Sequence, residues 1–118
     1  MPKRVNEDAF LKTFPIKPVE WPITGVNDEG GLDCYKSAEL AGLLVGDATV
    51  RAGAQLILRG MVTGSVTVEA GAVAFLHGVV CGDVTVYGAI AVYGLICGAL
   101  HENGNSLAYL SSNSSEAS

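Results

Sequence analysis

The middle of the chain alternates apolar and polar residues in short stretches, and these stretches recur about every eighteen residues. The clearest copies are Gly46–Val50, Gly64–Val68 and Gly82–Val86. Alternation over a few residues predicts short strands with one buried face. A fixed period of this length predicts a solenoid, in which each repeat is one coil stacked on the coil before it.

Each coil is predicted to contain three short strands between glycines. In the first strand, the residues predicted to face the core are Ala48, Val50, Val66, Val68, Val84 and Val86. In the second strand, they are Leu56, Leu58, Ala74, Leu76, Ile90 and Val92. The third strand lies between two glycines, as in Gly60–Gly64. Glycine at these corners is expected to supply the positive φ angles that sharp turns require.

The predicted fold is therefore all-β: a short single-stranded β-helix with three short strands per coil and a non-repetitive N-terminal cap. The third coil has sixteen residues instead of eighteen, and the deletion is expected at the corner around Gly88. The predicted organisation is an N-terminal arm over 1–35, the β-helix over 36–110 and a disordered polar tail over 111–118.

The arm has a pattern of its own. Asn6 is expected to cap a short helix from Glu7 to Thr13. The prolines exclude helix from the segment Phe14–Ile23, which is expected to be extended. Four large apolar residues of the arm need a surface to bury against: Phe10, Phe14, Ile16 and Trp21.

A candidate for that surface is the third strand of the coils. Alternation leaves one row of apolar residues pointing outward there: Leu43, Met61, Val79 and Leu95. A soluble monomer rarely leaves a patch of this kind bare. We expect the arm to fold back over the row, and the alternative is that another protein covers it.

Composition and charge narrow the choice of partners. The chain has 118 residues, of which 49% are hydrophobic, and this fits one domain with a sizeable core. Its formal net charge is −5. Nucleic acid is not an expected partner, because phosphate binding requires a cationic face. The acidic surface suits a basic protein partner. No secretory signal and no membrane span are recognised, so the expected location is the cytoplasm.

The three cysteines, Cys34, Cys81 and Cys97, form no CxxC pair and are expected to be reduced. Cys81 and Cys97 lie one coil apart, so a bridge between them is geometrically conceivable. No cofactor is expected. No metal site is expected either, because the spacing of the histidines and cysteines matches no metal motif.

The segment Val62–Gly98 contains the pattern V-x-G-x-V-x-V twice, at Val62–Val68 and Val80–Val86. In this it resembles the bactofilins, bacterial polymer-forming cytoskeletal proteins whose core is a right-handed β-helix. The resemblance implies a right-handed coil and non-enzymatic assembly by end-to-end stacking. The N-terminus departs from that family, because a segment with tryptophan and proline stands where a polar low-complexity tail is usual.

Apolar residues also recur every six positions, from Val50 to Val92. This spacing is similar to that of the left-handed β-helix of hexapeptide-repeat acyltransferases, although the small residue that follows each aliphatic residue there is mostly missing here. An acyltransferase would need His77 or His101 as its catalytic base. Cys81 with His77 is a weaker nucleophilic pair, since nothing marks the thiol as activated. We therefore expect no enzymatic activity.

The leading functional expectation is a non-catalytic protein that binds one specific protein partner. A small acidic β-helix with a cap resembles in general style the immunity proteins that bacteria encode beside a toxin and that mask its basic cleft. The expected contact residues are acidic or aromatic: Asp47, Glu69, Phe75, Asp83, Tyr87, Tyr93 and Glu102. The alternative is a bactofilin-like scaffold whose copies associate through the C-terminal coil, where the repeat decays between Gly104 and Leu110.

Overall fold

The computed structural model describes the backbone of residues 3–110 and 115–116 and the side chains of 5–25 and 31–110. It shows a β-solenoid of about five turns with one short helix, α1 (Glu7–Thr13). Half of the chain is in strands, and one turn takes about 18 residues. The predicted all-β solenoid is confirmed, while the hand of the coil stays a prediction.

The strands, which are numbered here in chain order, form three faces of the solenoid: A, B and C. Face A is one sheet of seven strands: β1 (Lys3–Arg4), β2 (Trp21–Ile23), β4 (Ser37–Leu40), β6 (Gln55–Leu58), β9 (Val73–Leu76), β12 (Ala89–Val92) and β15 (Leu107–Leu110). The other nine strands form a second sheet, which bends into faces B and C: β3 (Val26–Cys34), β5 (Leu43–Val50), β7 (Met61–Val62), β8 (Val66–Val68), β10 (Val79–Val80), β11 (Val84–Val86), β13 (Leu95–Ile96), β14 (Leu100–Glu102) and β16 (Ser115–Glu116).

The long strands β3 and β5 belong to both of these faces. The second half of β5 pairs with β8, and β11 and β14 follow in face B. The first half of β5 pairs with β7, and β10, β13 and β16 follow in face C. Every strand pairing in the described part of the chain is parallel, so each coil lies directly on the previous one. The interior of the solenoid is therefore a stack of similar apolar layers.

The inward residues predicted for the first and second strands are all buried. On face B, Val50, Val68 and Val86 align in register. The shortened coil keeps this ladder, because Val86 aligns with Val68 and Ala89 aligns with Val73. The two missing residues therefore lie at the predicted corner between faces B and A.

The solenoid begins at Trp21 instead of residue 36. β2 pairs with β4, where Trp21 aligns with Ala38, and β3 pairs with β5. The pairing of β3 shifts register between Asn27 and Gly30. This irregularity, and the lack of the glycine–valine spacing of later coils, explains why the first coil escaped prediction.

The arm starts at the opposite, C-terminal end of the solenoid. β1 extends face A by pairing with β15, and the Val5 N–H donates to the Ala108 carbonyl oxygen at 2.9 Å. The prediction that the C-terminal coil leaves its strand edge unpaired is therefore wrong for face A. α1 follows as predicted, with the Asn6 Oδ1 accepting the Ala9 N–H at 2.8 Å.

The arm then runs along face A to the first coil. The buried side-chain amide of Gln55 accepts the Lys17 N–H at 2.9 Å and donates to the Lys17 carbonyl oxygen at 3.1 Å. The same amide donates to the Ser37 hydroxyl at 3.2 Å. Gln55 thus binds the extended segment as a neighbouring strand would, which explains how a buried amide is tolerated.

α1 covers face A, so the predicted burial of the third-strand row by the arm is wrong. Phe10 of α1 is fully buried and meets Phe75 edge-on, with 5.7 Å between ring centroids. Face A offers strands of four residues, whereas β7, β10 and β13 of face C have two each. Ala89 and Ala91 are small and pack in the same cluster as Phe10, which leaves room for its ring.

The other large apolar residues of the arm lie in different environments. Phe14 is half-buried against Phe10, Ile16 is 56% exposed, and Trp21 belongs to the first coil. At the other end of the chain, β16 pairs with β13 on face C. The predicted disorder of the tail is therefore wrong for residues 115–116, and residues 111–114 and 117–118 lie outside the described residues.

The glycines at the corner between faces A and C are required by close approach. A Cβ added at Gly60 would overlap the carbonyl oxygen of Gly42, and one at Gly78 would overlap that of Gly60. The Gly42 oxygen accepts the Met61 N–H at 3.0 Å, so it cannot move away without loss of a hydrogen bond. Gly42, Gly60 and Gly78 have no positive φ, whereas Gly53 does, at 83°. The predicted reason for glycine is therefore wrong at Gly42, Gly60 and Gly78, but it holds at the same corner of the first coil, where Gly25 has a φ of 77°.

Replacing Gly60 and Gly53 by asparagine separates these two reasons for glycine. Asparagine tolerates positive φ better than other residues with a Cβ, and the space around Gly53 is empty within 4 Å. We expect Gly60→Asn to lower the free energy of unfolding by about 3 kcal/mol through overpacking, and Gly53→Asn to lower it by less than about 1 kcal/mol. Urea denaturation measures both values, and similar losses would contradict the close-approach explanation.

Candidate functional site

The structure brings the four residues of the predicted apolar row together on face C. Leu43, Met61, Val79 and Leu95 align in register on consecutive coils. Met61 is 39% exposed and Leu95 38% exposed, while the other two are half-buried. Three rung spacings of about 4.8 Å make the row about 14 Å long. Because the arm lies on face A, no part of residues 5–25 covers this row.

The corner between faces C and B carries a ladder of polar side chains that sequence reasoning missed. The Asp47 Oδ1 accepts the Ser65 N–H at 2.8 Å, and the Ser65 Oγ accepts the Asp83 N–H at 3.3 Å. The Asp83 Oδ1 in turn accepts the Ala99 N–H at 2.9 Å. The sequence signal that could have predicted this ladder is the glycine followed by aspartate or serine, which recurs in consecutive coils. Asp47 and Asp83, predicted as contact residues, thus also join consecutive coils.

Asp83 is the acidic residue whose environment is best defined. The hydrogen bond from the Ala99 N–H lowers the pKa of the Asp83 carboxyl, and His101 lowers it further. The His101 Nε2 lies 3.5 Å from the Asp83 Oδ2. Both side chains are about half exposed, so the pair lies at a solvated corner.

The remaining acidic and aromatic candidates lie elsewhere. Glu69 forms an ion pair with Arg51 at 3.0 Å, and Arg51 also pairs with Asp33 at 2.6 Å. Tyr87 is 48% exposed at the same corner, between faces B and A. Glu102 ends β14 in the last coil. The seven predicted contact residues therefore do not form one surface.

Phe75 and Tyr93 are occupied by the arm. Phe75 is 1% exposed beneath α1, so it cannot contact a partner in this arrangement. The Tyr93 hydroxyl donates to the Glu7 Oε2 at 2.8 Å, and burial raises the pKa of Tyr93. The His77 ring stacks on Tyr93 with 4.6 Å between centroids, and burial lowers the pKa of His77.

The N-terminal end of the solenoid contains a cavity that sequence reasoning did not predict. It has a volume of about 610 Å³ and is lined by side chains of the first two coils: Trp21, Ile23, Leu32, Tyr35, Leu40 and Leu44. Tyr35 is 64% exposed at its rim. The Lys36 Nζ lies 5.6 Å from the Trp21 ring centroid and 5.7 Å from that of Tyr35. On this side β2 is the last strand of face A among the described residues.

Within residues 3–110 and 115–116, no three histidine, cysteine or carboxylate side chains converge as metal ligands would. The same part of the chain has no helix of the length and apolar character that crosses a bilayer. No family model, no curated protein and no solved structure matches the chain. The solenoid repeat agrees with the bactofilin resemblance, but no comparison supports membership of that family.

The pKa of Asp83 predicts a contribution to stability that depends on pH. A carboxyl with a lowered folded-state pKa stabilises the fold above its unfolded pKa of about 3.9, and this contribution is lost as the pH falls through the folded pKa. Asp83→Asn keeps an oxygen that can accept the Ala99 N–H but cannot ionise. We expect wild type to exceed Asp83→Asn in free energy of unfolding at pH 5, and the difference to shrink towards pH 2.

Chemical denaturation at a series of pH values measures this difference. Glu20→Gln is the control, because Glu20 is an exposed carboxylate in the arm. A difference between wild type and Asp83→Asn that stays constant from pH 5 to pH 2 would contradict the assignment.

Proposed function

We propose that this chain is a non-catalytic protein-binding solenoid that binds one basic protein partner through face C. The observation that carries the proposal is the aligned row of Leu43, Met61, Val79 and Leu95, which the arm leaves bare. Methionine and other large apolar residues are typical of the core of a protein interface. A rigid ladder presents them without a cost for ordering a loop on binding.

Charge supports a basic partner. Asp47 and Asp83 border the row on one side, along the corner between faces C and B. Their side chains are exposed and held in place by the backbone hydrogen bonds of the next coil. With a net charge of −5, this edge would attract a cationic surface and orient it before contact.

The finer form of the proposal is an immunity-type role, in which the bound partner is a toxin whose basic cleft is masked. Neither histidine is part of the apolar row on face C. His77 is stacked on Tyr93, and His101 is paired with Asp83 at a solvated corner. In this role the partner's activity should fall in proportion to the fraction bound.

The test compares two variants in which an exposed apolar residue is replaced by lysine. Met61→Lys places a charge in the centre of the row, whereas Ile16→Lys changes an exposed apolar residue of the arm. The stoichiometric partner is purified from the protein's own source with wild type as bait, and its affinity is then measured by calorimetry. We expect Met61→Lys to weaken binding at least about tenfold, a loss of about 1.4 kcal/mol, and Ile16→Lys to bind as wild type does.

Equal affinity of the two variants would refute face C as the binding surface. Asp47→Asn with Asp83→Asn, which keeps both hydrogen-bond acceptors, should reduce the association rate and its dependence on salt. A complex in which the partner keeps its full activity would reject the immunity-type role while leaving the binding role in place.

A second candidate is self-association, and a different observation favours it. The C-terminal edge of face A is occupied by β1, but β2 at the other end is paired on one side only among the described residues. An unpaired strand edge is a template for another chain. On face A only this end is free among the described residues, so two copies that meet through face A alone would form a closed dimer instead of a filament. The bactofilin-like scaffold would need both ends free.

Sedimentation of variants tests this candidate. We expect Tyr35→Lys, at the rim of the N-terminal cavity, to shift a wild-type dimer to monomer, and Tyr87→Lys to leave the dimer intact as a matched control. Deleting residues 1–4 removes β1 and exposes the edge of β15, so this variant should assemble beyond dimers. A monomeric wild type at all concentrations would eliminate the candidate.

A further inference from the structure

Cys81 and Cys97 occupy the same position on consecutive coils. They directly follow β10 and β13, which pair in parallel with Val80 aligned to Ile96. The ladder of backbone hydrogen bonds continues through both cysteines: the Cys81 N–H donates to Val62 at 2.9 Å and the Cys97 N–H donates to Val80 at 2.8 Å. Both side chains are free thiols and are exposed on face C.

The spacing of these rungs matches one kind of metal coordination. Neighbouring strands lie about 4.8 Å apart, so side chains at the same position of consecutive coils start from backbones separated by this distance. A thiolate bond to zinc is about 2.3 Å long, and two collinear bonds of similar length span about 4.6 Å. A disulfide would also fit this spacing, since disulfide Cα atoms lie about 4.4–6.8 Å apart, but both thiols are free in the structure and a bridge would need an oxidant. We infer that Cys81 and Cys97 form a two-coordinate thiolate site for a soft monovalent cation, namely Cu(I).

The choice of cation follows from the ligands. Thiolates prefer soft cations such as Cu(I). Zinc would require four ligands, and in the described part of the chain no third histidine, cysteine or carboxylate converges with this pair. The backbone ladder fixes the separation of the two cysteine backbones, so binding would require only rotation of the two side chains.

The binding reaction is balanced without a redox partner. Each thiol releases its proton, the two sulfur atoms each form one bond to Cu(I), and the product carries one negative charge. No electron is transferred, and copper stays in the monovalent state. The Val79 and Leu95 side chains beside the sulfurs are apolar and would limit access of water to the bound ion.

Cys34 provides an internal comparison. It is fully buried, its thiol donates to the Lys36 carbonyl oxygen at 3.1 Å, and burial raises its pKa to about 11. A thiol in that environment resists the deprotonation that metal binding requires. Cu(I) should therefore distinguish the exposed pair from Cys34.

The experiment is an anaerobic titration of the reduced full chain with Cu(I) supplied by a chromogenic chelator. We expect one Cu(I) per chain in competition with the chelator. Cys81→Ser and Cys97→Ser should each lose more than the roughly 100-fold affinity that removal of an outer-sphere group costs, while Cys34→Ala should bind as wild type does. X-ray absorption of the loaded chain should show two sulfur neighbours around each copper.

Three results would overturn the site. One is a stoichiometry of one Cu(I) per two chains, which would indicate bridging between molecules. Another is unchanged affinity in either single serine variant. The third is displacement of Cu(I) by equimolar Zn²⁺, since a two-ligand site should not hold zinc against copper. Silver(I), which has no accessible redox change, repeats the titration as a check on copper oxidation.

Discussion

Close contact between consecutive coils at the glycine corner is the constraint on which this structure depends. There the carbonyl oxygen of Gly42 lies where a Cβ of Gly60 would be, and it accepts the Met61 N–H. The same arrangement recurs one coil later. This contact keeps the coils in strict register, and register in turn aligns the apolar row, the polar ladder of Asp47 and Asp83 and the two exposed thiols. The residues of each candidate surface therefore lie in a row, because equivalent backbone positions of consecutive coils lie next to one another.

The parts of the fold that the sequence predicts are those set by short-range pattern. Alternation alone assigns Val50, Val68 and Val86 to the interior, because a strand points successive side chains to opposite faces. The sixteen-residue coil and its corner follow from the same alignment. The Asn6 cap is also local, since it depends on residues within one helical turn.

The parts that escaped prediction depend on contacts between distant residues. Phe10 had apolar outward residues available on two faces, and only the shape of the site decided that it packs on Phe75. The first coil lacks the repeat spacing and contains a register shift. The aspartates were predicted only as contact residues for a partner, whereas Asp47 and Asp83 each also accept a backbone hydrogen bond from the next coil. The apolar row itself was predictable, but its exposure was not.

The course of the arm along face A has a consequence for how the chain folds. Coil-to-coil contacts join residues sixteen to eighteen positions apart, whereas β1 pairs Lys3 with Leu107. Closing the larger loop costs more entropy, so the coils should form before the arm docks. During synthesis β1 leaves the ribosome long before its partner strand exists. The segment made first therefore completes its pairing last, and the nascent coils grow with Phe75 still uncovered.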